Sequence, residues 1–234
     1  MKCICKRLAA VAITAGLGVS NAPAQEESPY WASFQVKFAN QYLWRGFVAN
    51  DSPSLQPELT IGYRGFSITS WSNFSRRAKN GQSWTEQTLH FAYRRRLGHF
   101  TGRLGWRTKT FPNLDRRQGK YTNEIYAGFS HADALHPSVT VHRDVQKGNG
   151  WYYYLSVGPS VPSPHGVSIT PLIGLGINQH LFIPQTTISN LDLGLSIGVP
   201  LGPVSVSPFF LETVGHRSLF GHHCMYGLMV SARK

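Results

Sequence analysis

Apolar and polar residues alternate along the chain from Trp31 to Lys234. Apolar residues occupy every second position of short stretches, and turn-forming residues interrupt these stretches about every 10–14 residues. A stretch of period two is typical of a β-strand with one apolar face and one polar face. About twelve such stretches follow one another, which favours a closed barrel with lipid outside and water inside.

The links between the predicted strands differ in length. The strands are predicted at about 31–44, 54–63, 66–74, 84–95, 100–111, 121–130, 137–144, 150–160, 167–179, 187–201, 204–213 and 223–232. The links 2–3, 4–5, 8–9 and 10–11 are short, 6–7 is intermediate, and 1–2, 3–4, 5–6, 9–10 and 11–12 are longer and polar. Bacterial outer-membrane barrels have short periplasmic turns and longer extracellular loops.

We therefore predict an all-β fold, a closed antiparallel transmembrane β-barrel of about 12 strands. The short turns are expected in the periplasm with both termini, and the longer loops are expected outside the cell. A barrel of about ten or fourteen strands is the main alternative.

Residues 1–24 are typical of a signal peptide. Lys2, Lys6 and Arg7 precede a short apolar run, and Ala22-Pro23-Ala24 fits a cleavage site. Because no linker or change of composition interrupts the strand series, residues 25–234 are expected to form a single barrel domain. No later stretch has the roughly 18 consecutive apolar residues of a transmembrane helix.

The chain is basic, with a formal net charge of +12. Three of these charges lie in the predicted signal peptide, which leaves +9 on the mature chain. The chain has no nucleic-acid motif and is predicted to be exported, so we expect no nucleic-acid partner. The expected partners are outer-membrane lipid, anionic lipopolysaccharide, small solutes and the barrel-assembly machinery. Cys224 is the only mature cysteine, so no intramolecular disulfide is expected.

The polar strand faces are expected to line the lumen. Arg103, Arg107 and Lys109 on the fifth strand lie between acidic and histidine side chains of the fourth and sixth strands, where antiparallel neighbours can pair. One interpretation is a polar network that rigidifies a narrow barrel; the other is a charged constriction that selects solutes, with anions favoured. The candidate pore-lining residues are Lys37, Glu86, His90, Arg94, Arg103, Arg107, Lys109, Glu124, Tyr126, His142 and Asp192.

Aromatic residues recur near the strand ends. Girdles at the two lipid–water boundaries explain this placement, and ordinary core packing is the alternative. The residues are Trp31, Trp44, Trp84, Tyr121, Trp151 and Tyr226. Basic loops at 76–79 and 115–120 are candidates for contact with lipopolysaccharide phosphates, or are simply solvated.

Metal and enzymatic chemistry find little support. His216, His222, His223 and Cys224 are candidate ligands, but neighbours on a strand point to opposite faces and no coordination geometry is closed. No metal and no cofactor are therefore predicted. The chain has no G-x-S-x-G elbow, and nothing places a nucleophile on the lipid side, so we do not expect an enzyme.

The segment Asn40-Gln41-Tyr42-Leu43-Trp44-Arg45-Gly46, continuing to Trp71-Ser72-Asn73, resembles the TorF-type porin family of Gram-negative bacteria. The resemblance covers roughly the first third of the mature chain and implies an outer-membrane barrel with a channel role. It implies no catalytic residues. Glycine at position 46 suits an unusual turn at the start of the first external loop. Such barrels usually end in an aromatic residue, whereas this sequence ends Ser231-Ala232-Arg233-Lys234. Either barrel assembly tolerates this ending, or Tyr226 and Leu228 supply the signal in a shifted register.

Three functions compete at this point. The leading one is a narrow passive channel for small, anionic solutes, since a barrel of this size has a lumen largely filled by side chains. The second is an enzyme that acts on envelope lipids, and the third is a closed structural barrel. The oligomeric state is left open.

Overall fold

The computed structural model describes residues 29–76, 83–114, 120–159, 161–163, 166–216 and 220–233. The predicted signal peptide lies outside the described residues, as do most of the two basic loops. Within the described residues, no helix is long and apolar enough to cross a membrane.

The described residues form fifteen β-strands. They are β1 (Tyr30–Ala39), β2 (Tyr42–Trp44), β3 (Phe47–Asn50), β4 (Ser54–Tyr63), β5 (Phe66–Ser75), β6 (Trp84–Leu97), β7 (Phe100–Thr110), β8 (Tyr121–His131), β9 (Ser138–Asp144), β10 (Trp151–Val157), β11 (Val161–Pro162), β12 (Ser168–Gln179), β13 (Thr186–Leu201), β14 (Val204–Val214) and β15 (His222–Arg233).

Twelve of these strands form one closed antiparallel barrel, as predicted. Each pairs with the next barrel strand along the chain, and β1 pairs with β15 to close the wall. The strand β10 pairs directly with β12, so the short strand β11 is not part of the closed ring. Strands β2 and β3 form a separate two-stranded hairpin between β1 and β4.

The alternation predicted from the sequence is visible in the burial of the barrel strands. Phe34 and Phe38 on β1, Leu104 on β7 and Ile173 on β12 are exposed on the outer face. The alternate residues of each strand face the lumen, and Asn178 on β12 is fully buried there. The wall therefore presents apolar side chains to its surroundings and polar side chains to its interior, as a barrel in a lipid bilayer must.

Aromatic residues lie on the outer wall near both ends. At the end that carries the termini, Tyr30 stacks on Tyr63 with ring centroids 4.5 Å apart, and Phe66 lies 4.6 Å from Tyr93. Toward the end that carries the long loops, four of the predicted aromatic residues are exposed: Trp84, Tyr121, Trp151 and Tyr226. These positions match the girdles of a membrane barrel.

Two predicted girdle residues are not on the outer wall. Trp31 lies on the inward side of β1, where its ring covers Gly62 so closely that a Cβ there would overlap the indole. Its ring also lies 5.1 Å from the Arg233 guanidinium. Trp44 belongs to the β2–β3 hairpin. The girdle prediction is wrong for Trp31 because strand-end position does not fix which face a side chain occupies, and for Trp44 because β1 ends at Ala39 and the chain then leaves the wall.

The link between β10 and β12 is not short, contrary to the prediction. It spans residues 158–167 and contains β11, which pairs with the start of β12. Pro159 lies two residues after the end of β10 at Val157. Proline lacks the backbone N–H that a further ladder bond needs, so the barrel strand stops early.

The first predicted strand also ends earlier than expected, at Ala39 rather than Trp44. The Asn40 side chain then bonds to the part of β15 that a longer β1 would have paired. Its Oδ1 accepts a hydrogen bond from the Tyr226 backbone N (2.8 Å), and its Nδ2 donates to the Cys224 carbonyl (3.2 Å). The Gln41 side chain donates to the same Cys224 carbonyl at 2.7 Å. These side-chain amides pair the exposed edge of β15, so the main chain is free to leave the wall.

The β2–β3 hairpin, residues 42–50, turns at Arg45 and Gly46. Trp44 pairs with Phe47 across a two-residue loop, and both turn residues have positive φ, 51° for Arg45 and 86° for Gly46. Positive φ at both central residues is the signature of a type I′ turn, whose twist matches that of the flanking strands. The Arg-Gly pair is thus the tip of a tight hairpin.

Candidate functional site: a constriction built by the inward hairpin

The tip of the hairpin lies inside the barrel mouth. The Phe47 ring centroid is 4.7 Å from that of Phe220, and the Trp44 ring lies edge-on to Phe182 at 5.8 Å. Gly46 lies against the backbone carbonyl of Ser189. The hairpin leaves the wall beside β15 and crosses to β13 and the loops beside it, so it covers the long-loop end of the lumen.

Arg45 extends from the tip to the wall and pairs with Glu124 on β8. The distance from Arg45 Nη2 to Glu124 Oε2 is 2.6 Å, and the two side chains are only 6% and 1% exposed. This contact is an ion pair without a well-aligned hydrogen bond, because neither Nη atom of Arg45 is oriented to donate to an atom of the described residues. The guanidinium is held between the Trp44 and Tyr152 rings, 4.7 Å and 4.6 Å from their centroids.

Glu124 is the centre of this charge cluster. Arg107 Nη1 on β7 lies 3.4 Å from Glu124 Oε1, and His142 Nδ1 on β9 lies 2.9 Å from the same oxygen. Arg107 is directly opposite Glu124 in the strand register, as the sequence suggested. The Arg107 guanidinium also lies 4.7 Å from the centroid of the Tyr126 ring. A buried carboxylate requires partners of this kind because an unpaired charge is costly out of water.

Lys109 and Glu86 form a second buried pair beside the hairpin. Their Nζ and Oε1 atoms are 3.6 Å apart, and Tyr42 Oη donates a hydrogen bond to Glu86 Oε2 at 3.2 Å. The ammonium of Lys109 lies 4.1 Å from the centroid of the Trp44 ring. Tyr42 and Trp44 both belong to β2, whereas Glu86 belongs to β6 and Lys109 to β7. The hairpin is therefore anchored to β6 and β7 as well as to β8.

Asp192 centres a third polar group on the other side of the mouth. It accepts hydrogen bonds from Thr213 Oγ1 (2.8 Å), Tyr154 Oη (2.9 Å) and Asn190 Nδ2 (2.8 Å). Tyr152 Oη donates to Asn190 Oδ1 at 3.1 Å. The ring of Tyr152 is also in contact with Arg45, so this network and the Glu124 cluster meet at one aromatic side chain.

The lumen differs between its two halves. In the long-loop half, inward side chains such as Gln56, Asn73 and Asn190 are almost completely buried. In the half nearer the termini, inward residues such as Gln35 and Thr140 are only half-buried. The barrel is therefore packed where the hairpin lies and more open toward its termini.

The termini-side half, which we call the chamber, is basic. Arg94 and Arg103 face it together with one carboxylate, Glu58. Lys37, opposite Gln56 in the strand register, lies at the boundary of the chamber with the long-loop half. Arg94 and Arg103 are opposite one another in the register, and neither forms an ion pair with any carboxylate of the described residues. His90 lies between the chamber and the constriction, with its Nε2 2.6 Å from Tyr126 Oη.

The eleven predicted lumen residues thus fall into two sets. Seven surround or adjoin the hairpin: Glu86, Arg107, Lys109, Glu124, Tyr126, His142 and Asp192. Arg94 and Arg103 line the chamber, and Lys37 and His90 lie at the boundary between the two halves. The sequence missed Tyr42, Trp44 and Arg45. The available signal was Arg-Gly between aromatic residues, which suits a two-residue hairpin turn.

The closed wall and the apolar outer face define the class of this protein, a transmembrane β-barrel. No protein-family model and no curated protein matches the chain. The resemblance to TorF-type porins therefore stays a prediction.

Several solved structures are similar to the chain. One is OmpF of Salmonella typhi in complex with daunomycin, with 6% identity, a TM-score of 0.42, and coverage of 88% of this chain and 97% of that chain. An anion-selective porin from Comamonas acidovorans has 10% identity, a TM-score of 0.33, and coverage of 87% and 98%. The translocator domain of the autotransporter NalP from Neisseria meningitidis has 9% identity, a TM-score of 0.40, and coverage of 88% and 88%. Scores this low carry no information on function.

Removal of one partner of the Arg45–Glu124 pair should strongly destabilise the protein. We expect Arg45→Met to lower the free energy of unfolding by about 3–5 kcal/mol, because it leaves a buried carboxylate short of a partner. The double variant Arg45→Met/Glu124→Gln should cost less than the sum of the two single variants. Urea unfolding in detergent micelles, followed by tryptophan fluorescence, measures the free energy of unfolding of each single variant and of the double variant.

The matched control is Arg95→Met, on an exposed outer position of β6. It should change stability by no more than about 0.5 kcal/mol. Equal effects of the Arg45 and Arg95 substitutions would contradict a buried pair at the hairpin tip.

Proposed function

We propose that the protein is a porin-like channel of the bacterial outer membrane that passes small anionic solutes. The observation that carries the proposal is the basic chamber, in which Arg94 and Arg103 face the lumen without a carboxylate partner among the described residues. Unpaired positive charge on an inner wall attracts anions and repels cations. A wall that only needed rigidity would gain from pairing these side chains, as it pairs Arg107 and Lys109.

The outer membrane is the proposed location because a closed antiparallel barrel with an apolar outer face is typical of that membrane. A signal peptide at residues 1–24 would bring the chain there. In this orientation the chamber opens to the periplasm and the hairpin lies at the extracellular mouth. Lipopolysaccharide is the proposed neighbour of the long-loop end, since basic residues such as Arg76 occur in those loops.

In this proposal the hairpin forms the narrowest part of the path. It occupies the long-loop half of the lumen, and its buried contacts leave little free space there. The solutes must therefore be small, and the conductance of a single barrel must be low. Movement of the hairpin would widen the path without any change in the wall.

Planar-bilayer recording of the purified protein tests the proposal. In a salt gradient, the reversal potential should indicate selectivity for anions. Arg103→Gln should lower the anion-to-cation permeability ratio about five- to thirty-fold, because a unit charge at about 4–8 Å in water changes the energy of an anion and of a cation by roughly 0.5–1 kcal/mol each, in opposite directions. Arg95→Gln, which removes a charge from the outer face, should leave the ratio unchanged. Cation selectivity, or the same shift in both variants, would overturn the proposal.

A pair of glycine variants tests the role of the hairpin. Gly46 and Gly98 both have positive φ, 86° and 60°, so alanine costs about 1 kcal/mol of backbone strain at each. A Cβ at position 46 would lie 2.5 Å from the Ser189 carbonyl oxygen, whereas no heavy atom lies within 4 Å of a Cβ at position 98. Gly46→Ala should loosen the tip and raise single-channel conductance, and Gly98→Ala should not.

The same recording distinguishes a channel from a closed structural barrel. A structural barrel predicts no conductance in the wild type and none in Gly46→Ala, because the lumen would stay packed. The channel proposal requires conductance in the wild type and in Gly46→Ala, with the larger conductance in Gly46→Ala.

A further inference from the structure

Three potential metal ligands lie together on the outer wall near the long loops. Glu212 on β14 and Cys224 on β15 are directly opposite in the strand register, and His222 precedes Cys224 by two residues. Residues two apart on a strand share a face, and opposite residues on paired strands are neighbours. The three side chains therefore point to the same side of the wall, with ligand atoms all within 4.8 Å of one another.

The spacing is close to that of a metal site. Ligand atoms at about 2.0–2.3 Å from a tetrahedral ion are about 3.3–3.8 Å apart. His222 Nε2 is 2.6 Å from Glu212 Oε1, and small rotations of these side chains would open the space for an ion between them. The two strands belong to a continuous antiparallel ladder, which fixes the backbone of all three residues.

The types of donor indicate which ion fits. A thiolate, an imidazole and a carboxylate together are the ligand set of Zn²⁺ and of similar borderline ions. Mg²⁺ and Ca²⁺ prefer sites made of oxygen atoms alone. Cys224 is buried and His222 is half exposed, so one side of the cluster is shielded and the other is open to solvent.

We propose that Glu212, His222 and Cys224 bind one zinc-class divalent cation, with water in the fourth coordination position. Binding requires the thiolate, so the thiol proton leaves to solvent as the metal–sulfur bond forms. The ion would join β14 to β15 at the place where Asn40 and Gln41 bond to the Cys224 carbonyl. It would thus brace the part of the wall from which the inward hairpin departs.

His223 and His216 are not part of the proposed ligand set. His223 lies on the opposite face of β15, with its Nε2 in contact with the Phe220 carbonyl oxygen at 2.5 Å. The sequence pointed to four neighbouring ligands in one segment. The structure instead combines two of them with Glu212, which is ten residues from His222 and adjacent to it only through strand pairing.

The experiment titrates the folded full-length protein in detergent with Co²⁺ and then with Zn²⁺ in competition with a chromophoric chelator. The wild type should bind one ion per chain and show the thiolate-to-Co²⁺ charge-transfer absorption, which only a sulfur ligand produces. Cys224→Ser should abolish that absorption and weaken Zn²⁺ binding by at least about 100-fold, as loss of a direct ligand exceeds the 10–100-fold cost of losing a supporting group. Glu212→Gln and His222→Asn should each weaken binding while keeping the absorption at high Co²⁺.

Asp133→Asn is the control, because Asp133 contacts His131 at 3.2 Å at the opposite end of the barrel, in a His–carboxylate pair of the same kind. It should leave stoichiometry and affinity unchanged. Heat-dependent gel mobility verifies that each variant is folded. The proposal is overturned if the wild type shows no charge-transfer absorption, or if its Zn²⁺ affinity is the same as that of the Glu212 and His222 variants.

Discussion

A barrel wall in lipid can leave no backbone amide or carbonyl unpaired, and Asn40 is where this chain meets that constraint. The wall closes through β1 and β15, yet β1 ends at Ala39 while β15 continues toward the long loops. The side-chain amide of Asn40 occupies the donor and acceptor positions that a longer β1 would have filled. The main chain can therefore turn into the lumen. The whole constriction depends on these side-chain hydrogen bonds of Asn40, which take the place of backbone hydrogen bonds.

The hairpin brings one more cation to a wall that already carries several. Arg45 completes the shell of Glu124, which also contacts Arg107 and His142. A buried ion pair of this kind adds little net stability over an apolar contact, but a misplaced tip would leave a buried charge unpaired. The pairing therefore fixes where the tip lies. In the chamber, by contrast, Arg94 and Arg103 face the lumen without an ion-pair partner among the described residues.

Much of the wall could be predicted from the sequence, because lipid imposes a period of two on every strand. Leu104 and Arg103 alternate as expected, and cross-strand register then places Arg107 beside Glu124. The inward hairpin could not be predicted in this way. Tyr42 and Trp44 continue the alternation of β1, and alternation alone does not show that the strand ends at Ala39, where the hydrogen bonds of Asn40 to β15 take over. Trp31 was misplaced for the related reason that an aromatic at a strand end suits either face.

Because the hairpin lies inside the barrel mouth, its position can be measured by a nuclear Overhauser effect between ring protons of Phe47 and Phe220. The ring centroids are 4.7 Å apart, well within range of such a contact. In detergent micelles we expect this signal, together with dispersed amide shifts for residues 42–50. Absence of the signal, with shifts typical of a solvated loop, would mean that the hairpin lies outside the lumen.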